Sequence, residues 1–264
     1  MNLDNICHQT CALAKQAGEF IRKESTRFKQ TDVEIKSFNQ LVSYVDKTAE
    51  EILVQGLKTI FPEAGFITEE ETIATEEKEW MWVVDPLDGT TNFVHQIPVY
   101  SVSIGLLQNK KPMLGVVYEI NRDELFYASK ESKAFLNGVE INVKQNHDLS
   151  KSLLATGFPY YDFEVMPKYI HALQRLMRES QGMRRLGSAA VDLAYVACGR
   201  FDAFFEYGLS PWDVAGGALI VERAGGKLSS FYGDDNFIFG KTIIASSANL
   251  YTDFFNVIDE SFNK

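Results

Sequence analysis

The segment WVVDPLDGTTNF, residues 82–93, is the most informative part of this chain. An apolar run leads directly into two aspartates, Asp85 and Asp88, which are separated by two residues. Pro86 fixes the backbone between them, and Gly89 allows a tight turn and the close approach of a ligand. The threonines that follow suit the start of a helix. The segment therefore predicts a strand, a turn and a helix start, with carboxylates at their junction.

This arrangement of side chains points to a particular chemistry. Carboxylates at the end of a strand supply the hard oxygen ligands that magnesium prefers. Free backbone amides at the start of the next helix can hold a phosphate group. One short segment could therefore hold both a metal ion and an anionic substrate. The alternative is a surface turn with solvated aspartates, because Asp, Pro and Gly are common in turns.

Two further acidic positions favour the metal hypothesis. Residues 69–71 are three consecutive glutamates that follow a second predicted strand end at Thr68. Crowded carboxylates repel one another unless a cation or water screens them. Asp213 stands at the start of an apolar helix in the segment WDVAGG. A solvated acidic loop and a helix cap are the alternatives at these two positions.

The charge of the chain limits its partners. The 264 residues carry a formal net charge of -10, and the sequence pI is about 5.0. A surface of this sign repels nucleic acid and anionic membranes, so we expect neither as a partner. It would also repel a phosphate ester, and metal ions bound by clustered carboxylates could supply the missing positive charge.

The cysteines and the N-terminus indicate a cytoplasmic protein. The three cysteines do not form the pattern of a secreted disulfide framework, and no second ligand pair accompanies Cys7 and Cys11 as zinc would require. The first residues lack the basic and apolar regions of a signal peptide. No apolar run approaches the roughly 20 residues that a membrane span needs.

Hydrophobic periodicity predicts a mixed α/β protein of the α+β kind, in which a helix-flanked antiparallel sheet precedes a smaller α/β layer. Helices are predicted at residues 3–24, 45–61, 163–180, 188–198, 211–224 and 249–262. Strands are predicted at 80–84, 99–107, 112–119, 124–128, 152–156, 202–206 and 242–246, the middle ones as an antiparallel meander. The polar stretch 144–151 predicts a junction between subdomains of about 1–145 and 146–264 within one domain, 1–264.

Taken together, these motifs resemble those of the inositol monophosphatase family, within the lithium-sensitive, magnesium-dependent phosphatase superfamily. DPLDGTTNFVH at 85–95 matches the first family motif, and WDVAGG at 212–217 followed by ERAGG at 222–226 matches the second. Glu69 and Glu70 stand at the upstream acidic position of the family. The resemblance implies a layered α-β-α-β-α sandwich of the inositol monophosphatase and fructose bisphosphatase type, and usually a homodimer.

The resemblance also implies the site residues. It gives two or three magnesium ions per site and the metal ligands Glu69, Asp85, Asp88, Asp213 and the backbone carbonyl of Leu87. It places the phosphate near the backbone of Gly89 and Thr90. It assigns further substrate contacts to Asp88, Gly187, Ser188, Ala189, Glu206 and Asp213.

A catalytic group of Asp46, Thr90 and Glu69 follows from the same resemblance. Asp46 matches a family residue that hydrogen-bonds the threonine equivalent to Thr90, and this threonine would position the attacking water. Asp46 could instead cap the helix that follows it, and residues 187–188 could be a helix start. Lys36 occupies a position that is often basic in the family, or is a solvated lysine. We interpret His95 as structural.

The predicted function is magnesium-dependent hydrolysis of a small phosphate monoester, with myo-inositol monophosphate as the first candidate. Phosphoadenosine phosphate, NADP and fructose bisphosphate are the alternative substrates. Glu206 favours a hydroxyl-rich monoester, because a carboxylate accepts hydrogen bonds from hydroxyls but repels a second phosphate. A regulatory partner-binding protein with demoted activity and a non-catalytic metal-binding module are the alternatives from other classes. Ser210 and Pro211 depart from the histidine and cysteine of some animal enzymes at the pocket rim.

Overall fold

The structure is a computed structural model that describes residues 2–28, 33–37, 40–160 and 162–262. The side chains of residues 33–37, 40 and 41 are not described, so the predicted basic position at Lys36 lies outside the described side chains. The helices are α1 (Leu3–Ser25), α2 (Tyr44–Ile60), α3 (Thr90–Val94), α4 (Met166–Glu179), α5 (Ala189–Ala197), α6 (Pro211–Arg223) and α7 (Tyr251–Phe262). The strands are β1 (Val33–Ser37), β2 (Gln40–Ser43), β3 (Gly65–Thr68), β4 (Trp80–Asp88), β5 (Ser101–Gln108), β6 (Lys111–Glu119), β7 (Glu124–Ser129), β8 (Ala134–Leu136), β9 (Val139–Glu140), β10 (Leu153–Thr156), β11 (Gly182–Arg184), β12 (Ala203–Tyr207), β13 (Gly226–Ser229) and β14 (Thr242–Ser247).

Two large sheets organise the chain. The first has the order β3-β4-β5-β6-β7-β8-β9, with β3 parallel to β4 and each later pair antiparallel. This confirms the predicted antiparallel meander. The second sheet has the order β11-β10-β12-β14-β13 and is mixed, because β10 runs parallel to both of its neighbours and the other pairs are antiparallel.

Helices cover both faces of each sheet. α1 and α2 pack on the outer face of the first sheet, where Leu53 and Ile104 belong to one hydrophobic core. α5 and α6 lie between the two sheets in a second core that includes Leu193. α4 and α7 cover the far face of the second sheet, with Phe205 and Phe254 in a third core. The predicted α-β-α-β-α sandwich is confirmed.

In β5, small residues alternate with large apolar ones, yet both faces of the strand are buried. Its small polar residues do not face solvent, because α5 and α6 cover that face of the sheet. The Ser101 hydroxyl lies 3.4 Å from the Ser188 hydroxyl at the start of α5, and the Ser103 hydroxyl donates to the Trp212 carbonyl at 3.3 Å. The strand therefore joins the first sheet to the two helix starts that carry predicted site residues.

α6 approaches the first sheet at backbone distance. A Cβ atom on Gly115 of β6 would lie 2.2 Å from the carbonyl oxygen of Gly216 in α6, so a glycine is required there. Gly105 of β5 packs in the same way against Ala215. This close packing seats the first turn of α6, which carries Asp213, against the sheet that carries Asp85 and Asp88.

The predicted elements differ from the structure mainly at strand ends. The strand predicted at 80–84 continues to Asp88, because β4 pairs with β5 through an irregularity between Asp85 and Asp88. The strands β1, β2, β8, β9, β11 and β13 were not predicted; each has five residues or fewer, too few for periodicity to register. Residues 141–148 hold no helix or strand, and the subdomain division there stays a prediction. No helix in the described ranges has the length and apolarity needed to cross a membrane.

Candidate metal and substrate site

The end of β4 carries the two aspartates of the first motif. Both are buried, with 1% of Asp85 and 8% of Asp88 exposed, so neither is a solvated turn residue. The Leu87 amide donates to Asp85 Oδ1 at 2.9 Å and fixes that side chain against its own backbone. Burial thus contradicts the surface-turn alternative for this segment.

Asp88 is also anchored to the start of α5. Its Oδ2 atom accepts hydrogen bonds from the Ser188 hydroxyl at 2.6 Å and from the Ala190 amide at 2.7 Å. Ser188 is at the same time the N-cap of α5, since its side chain accepts from the Val191 amide at 3.3 Å. The helix-start alternative for residues 187–188 is therefore correct, and it coexists with a place in the site.

Asp213 reaches the same place from α6. It occupies the third position of the helix, and its Oδ2 atom accepts from the Ser210 amide at 2.6 Å. The N-cap of α6 is Ser210, and Asp213 completes its capping box, so the helix-cap alternative holds alongside a place in the site. Ser43 rather than Asp46 is the N-cap of α2, and Asp46 completes the capping box of that helix.

The three aspartates form a tight cluster. Asp85, Asp88 and Asp213 each place one carboxylate oxygen within 4.8 Å of the others. Burial raises the pKa of Asp88 to about 6, and burial together with the charge of Asp88 raises that of Asp213 to about 7. Burial, then repulsion by Glu69, Asp88 and Asp213, raises the pKa of Asp85 well above its usual range. A cation would relieve this repulsion.

Glu69 lies beside the cluster, in the loop after β3. Its amide donates to the Val84 carbonyl of β4 at 3.2 Å, which holds the loop beside the strand. Burial raises the pKa of Glu69 well above its usual value, and the charge of Asp213 raises it further. The charge of Glu69 in turn raises the pKa of Asp85, so the two carboxyl groups influence each other directly.

A second glutamate, Glu50, fixes this loop through hydrogen bonds. Glu50 of α2 is fully buried, and its carboxylate accepts from the Glu70 amide at 2.8 Å. Its other oxygen accepts from the Thr72 amide at 2.8 Å and from the Thr72 hydroxyl at 2.7 Å. Glu50 therefore fixes the backbone immediately after Glu69. The signal in the sequence was its place on the apolar face of α2, one turn after Asp46.

Asp46 and Thr90 are hydrogen-bonded to each other beside the end of β4. The Thr90 hydroxyl is 3.1 Å from both Asp46 Oδ1 and the Leu87 carbonyl oxygen. Asp46 Oδ2 accepts from the Ser43 amide at 2.9 Å and from its hydroxyl at 2.7 Å. Burial raises the pKa of Asp46, and the hydrogen bonds from Ser43 oppose that rise. Because a hydroxyl has one proton, Thr90 serves one acceptor at a time and keeps lone pairs for a water.

Gly89 connects the strand to the short helix α3. Its φ of +98° lies in the left-handed region that favours glycine. A Cβ atom there would also lie 3.1 Å from the Val99 carbonyl oxygen and 3.3 Å from that of Gly187. The turn at Gly89 is what sets α3, with Thr90 at its first position, beside the aspartate cluster.

One cavity of about 890 Å³ unites these residues. Its lining includes the predicted residues Glu69, Asp85, Leu87, Asp88, Gly89, Thr90, Gly187, Ser188, Ala189, Glu206 and Asp213. Asp46 lies behind Thr90 rather than in the lining. Burial, then the charge of Asp213, raises the pKa of Glu206 to about 8. Residues that are distant in sequence thus share one acidic pocket.

The cavity also contains residues that the sequence analysis did not assign to the site. Arg185 lies near the Phe158 and Tyr160 rings, 5.9 and 5.6 Å from their centroids, and its charge opposes the pKa rise of Asp88 and Glu206. His95, which we interpreted as structural, is exposed and lines the cavity. Asp192 of α5 is buried in the lining. A carboxylate on the otherwise apolar α5 was the signal in the sequence for Asp192.

The donor set of the cluster fits a magnesium ion. Magnesium takes oxygen ligands, and buried carboxylates in contact with an open cavity supply them without competition from nitrogen or sulfur. Asp85, Asp88 and Asp213 would hold such an ion, with Glu69 and the Leu87 carbonyl as predicted further ligands. Within the described residues, this is where a cluster suited to a metal occurs.

Comparison with known proteins agrees with this architecture. The sequence profile of the inositol monophosphatase family matches residues 2–260. The Nus factor SuhB of Pasteurella multocida is 37% identical over 93% of this chain and 92% of its own. The solved inositol monophosphatase from Anabaena (Nostoc) sp. PCC 7120 has a TM-score of 0.87 and 35% identity, over 98% of this chain and 97% of that one. A solved IMPase/NADP phosphatase complexed with Mg2+ and phosphate has a TM-score of 0.84 and 27% identity, over 97% and 96% of the two chains.

The fold and its carboxylate cluster thus define a phosphatase-type architecture. The chain belongs to the inositol monophosphatase family. Some of its relatives are named for an enzyme and others as a Nus factor, so the names do not decide between these roles. The absence of a nucleic-acid partner, the homodimer and the cytoplasmic location stay predictions.

Proposed function

We propose that this protein is a magnesium-dependent phosphatase that hydrolyses a phosphate monoester of a small polyol, with myo-inositol monophosphate as the best candidate. The observation that carries the proposal is the meeting of Asp85, Asp88 and Asp213 in one cavity with the Gly89–Thr90 turn and Glu206. A cation-binding cluster, a backbone suited to phosphate and a hydrogen-bonding carboxyl group thus lie within reach of one small ligand.

Two or three magnesium ions would neutralise the phosphate, lower the pKa of the attacking water and stabilise the leaving oxygen. The proposed ligands are Glu69, Asp85, Asp88, Asp213 and the Leu87 carbonyl. The related IMPase/NADP phosphatase, which was solved in complex with Mg2+ and phosphate, supports this part of the proposal.

The residues of the chain itself position the water and the phosphate. Asp46 is fixed by Ser43 and accepts from Thr90, so the Thr90 hydroxyl can turn a lone pair toward a water beside the cluster. The amides at the start of α3, which have no partner within the helix, would donate hydrogen bonds to the phosphate. Hydrolysis by a positioned water needs no covalent enzyme intermediate.

Glu206 supports a hydroxyl-bearing substrate. It lines the same cavity and is near enough to Asp213 for the charge of Asp213 to raise its pKa, and we place the leaving group of a bound monoester beside it. A bisphosphate would set a second anion against this carboxyl group, which favours a monoester over fructose bisphosphate. NADP and phosphoadenosine phosphate are the competing substrates that a test must include.

Phosphate release from a substrate panel tests the proposal. The panel holds inositol monophosphates, glycerol phosphate, NADP, phosphoadenosine phosphate and fructose bisphosphate, each with magnesium, with EDTA and with Asp88→Asn. We expect inositol monophosphate to be the preferred substrate, and both EDTA and the substitution to abolish most turnover. Near-normal turnover of Asp88→Asn at saturating magnesium would overturn the ligand assignment. A preferred nucleotide or bisphosphate would overturn the assignment of Glu206.

A second candidate function is that of a Nus factor, as in the name of the Pasteurella multocida relative. The 37% identity to that relative favours this candidate, and it is compatible with a working active site. A pull-down from the native host separates the two. A stoichiometric partner that is retained by Asp88→Asn would support a regulatory role independent of catalysis, whereas partner loss in the variant would tie binding to the site.

A further inference from the structure

Asp192 is a buried acidic residue that has no role in the mechanism proposed above. It lies on α5, is 1% exposed and lines the cavity together with Glu206. Its Oδ1 atom is buried and has no hydrogen-bond partner within the described part of the chain. Buried polar side chains are nearly always hydrogen-bonded, so such an atom in a ligand cavity indicates a missing partner.

The buried residue Asp202, which does not line the cavity, shows what a purely structural aspartate looks like. Asp202 accepts from Lys144 Nζ and Asn146 Nδ2, each at 3.0 Å, and from the Leu153 amide at 2.9 Å. Asp88 and Asp46, which belong to the proposed site, are also held by hydrogen bonds. Asp192 differs from all three because its Oδ1 atom has no hydrogen-bond partner among the described residues.

The surroundings of Asp192 restrict the chemistry of that partner. Burial raises the pKa of Asp192 well above its usual value, and the charges of Glu206 and Asp88 raise it further, while Arg185 opposes the rise. A carboxyl group accepts hydrogen bonds from hydroxyls, and its protonated form also donates one. A substrate hydroxyl can therefore pair with Asp192, and it adds no charge beside Glu206. A second phosphate would add an anion at a place where two carboxyl groups already resist ionisation.

We propose that Asp192 is a specificity-determining residue that, with Glu206, hydrogen-bonds the hydroxyls of a polyol phosphate. This inference rests on the proposed phosphatase function, because it concerns the leaving-group end of the same cavity. It assigns to Asp192 no part in holding the phosphate or the metal. A water bound permanently to Asp192 is the competing explanation.

The test compares a ligand that has a polyol with one that does not. For the wild type, Asp192→Ala and Asp192→Asn, we would measure KM for inositol 1-phosphate and the inhibition constant of inorganic phosphate, both at saturating magnesium. Asp192→Ala should raise KM about tenfold, as expected for the loss of one hydrogen bond to a buried charged or polar group. The inhibition constant of phosphate should change less than about twofold, since phosphate lacks the hydroxyls. Asp192→Asn keeps a donor and an acceptor and should restore much of the affinity.

Tyr195→Phe provides a control on the same helix. Tyr195 lies about one turn further along α5, packs against Phe126 and Phe201, and is absent from the cavity lining. This variant should leave both constants unchanged, and thermal unfolding of all variants shows whether the fold is kept.

The outcomes separate the inference from the function on which it rests. If KM and the phosphate inhibition constant rise together, or if neither changes, Asp192 does not select the polyol and the water explanation stands. If the wild type releases no phosphate from any monoester, the proposed function itself fails. A selective rise in KM, partly restored by asparagine, supports the inference.

Discussion

Two acidic segments reach the cluster in different ways. Residues 85–88 end the nine-residue strand β4, which lies inside the first sheet with neighbours on both sides. Residues 69–71 form a loop after the four-residue edge strand β3. The first segment is fixed by the sheet and by the start of α5. The second is fixed mainly by one buried side chain, Glu50 of α2.

The comparison teaches that neighbouring residues proposed as metal ligands can differ in how firmly they are placed. Asp88 is oriented by Ser188 and Ala190, at the start of a packed helix. The loop of Glu69 is held by hydrogen bonds from Glu70 and Thr72 to Glu50 and by its own bond to β4. We therefore expect the strand end to set whether the site works and the loop to set how tightly it binds metal.

The largest effect is expected at the strand end. Asp85→Asn should lower kcat by more than about a hundredfold, beyond the range typical for residues that only support metal ligands. Added magnesium should not restore it. Asp202→Asn is the control, because it alters a buried aspartate that does not line the cavity. Equal losses of activity in the two variants would attribute the effect to folding instead.

A smaller effect, on magnesium affinity rather than on kcat, is expected at Glu50, which supports the loop. Glu50→Gln presents an amide to backbone N–H groups and should weaken magnesium binding about tenfold, with kcat at saturating magnesium largely kept. Isothermal titration calorimetry measures the magnesium affinity. Hydrogen exchange of the Glu70 and Thr72 amides measures how well ordered the loop is. Glu51→Gln, one residue along α2 and exposed, is the matched control. If magnesium affinity is unchanged while the amides exchange faster, the loop does not carry a ligand.

The cluster should also make the metal-free protein sensitive to pH. The pKa of Asp88 is raised to about 6 and that of Asp213 to about 7 in the folded state, so between roughly pH 4 and 7 the folded form holds protons that the unfolded form has lost. Stability in EDTA should therefore fall as the pH rises through this window. Magnesium binds deprotonated carboxylates, so its stabilising effect should grow with pH. Thermal unfolding at several pH values, with EDTA and with magnesium, measures both pH dependences. Asp213→Asn should weaken the pH dependence of stability in EDTA.

The smallest effect is expected at the exposed end of the loop. Glu71 is exposed and has a φ of +53°, so its side chain is not directed by the packing that fixes Glu69. Glu71→Gln should change kcat and the magnesium requirement by less than about twofold, as is usual for surface positions. A larger loss would show that the loop supplies more than one acid to the site and would reverse the ranking of the two segments.

Much of the fold followed from patterns within short windows. The helices from α1 to α7 that the periodicity predicted begin and end within three residues of the expected positions, because burial on one face repeats along each of them. The meander followed from alternation and turn residues. The short edge strands β9 and β11 did not, since two or three residues carry no period and their pairing is decided by neighbouring strands.

The site, like the fold, has features that the sequence predicts and features that only the tertiary structure shows. The motif at 82–93, taken with the acidic positions at 69–71 and 213, predicted metal and phosphate chemistry, because residue type and spacing are local properties of the chain. Only the tertiary structure brought Asp213 into a cluster with Asp85, set Glu69 beside them, and gave Glu50, Arg185 and Asp192 their places. A single buried carboxyl group has no local signature, since its role depends on which distant residues surround it. The sequence thus predicted the kind of chemistry, and packing decided which carboxyl groups lie together and which one, Asp192, has a buried oxygen without a hydrogen-bond partner among the described residues.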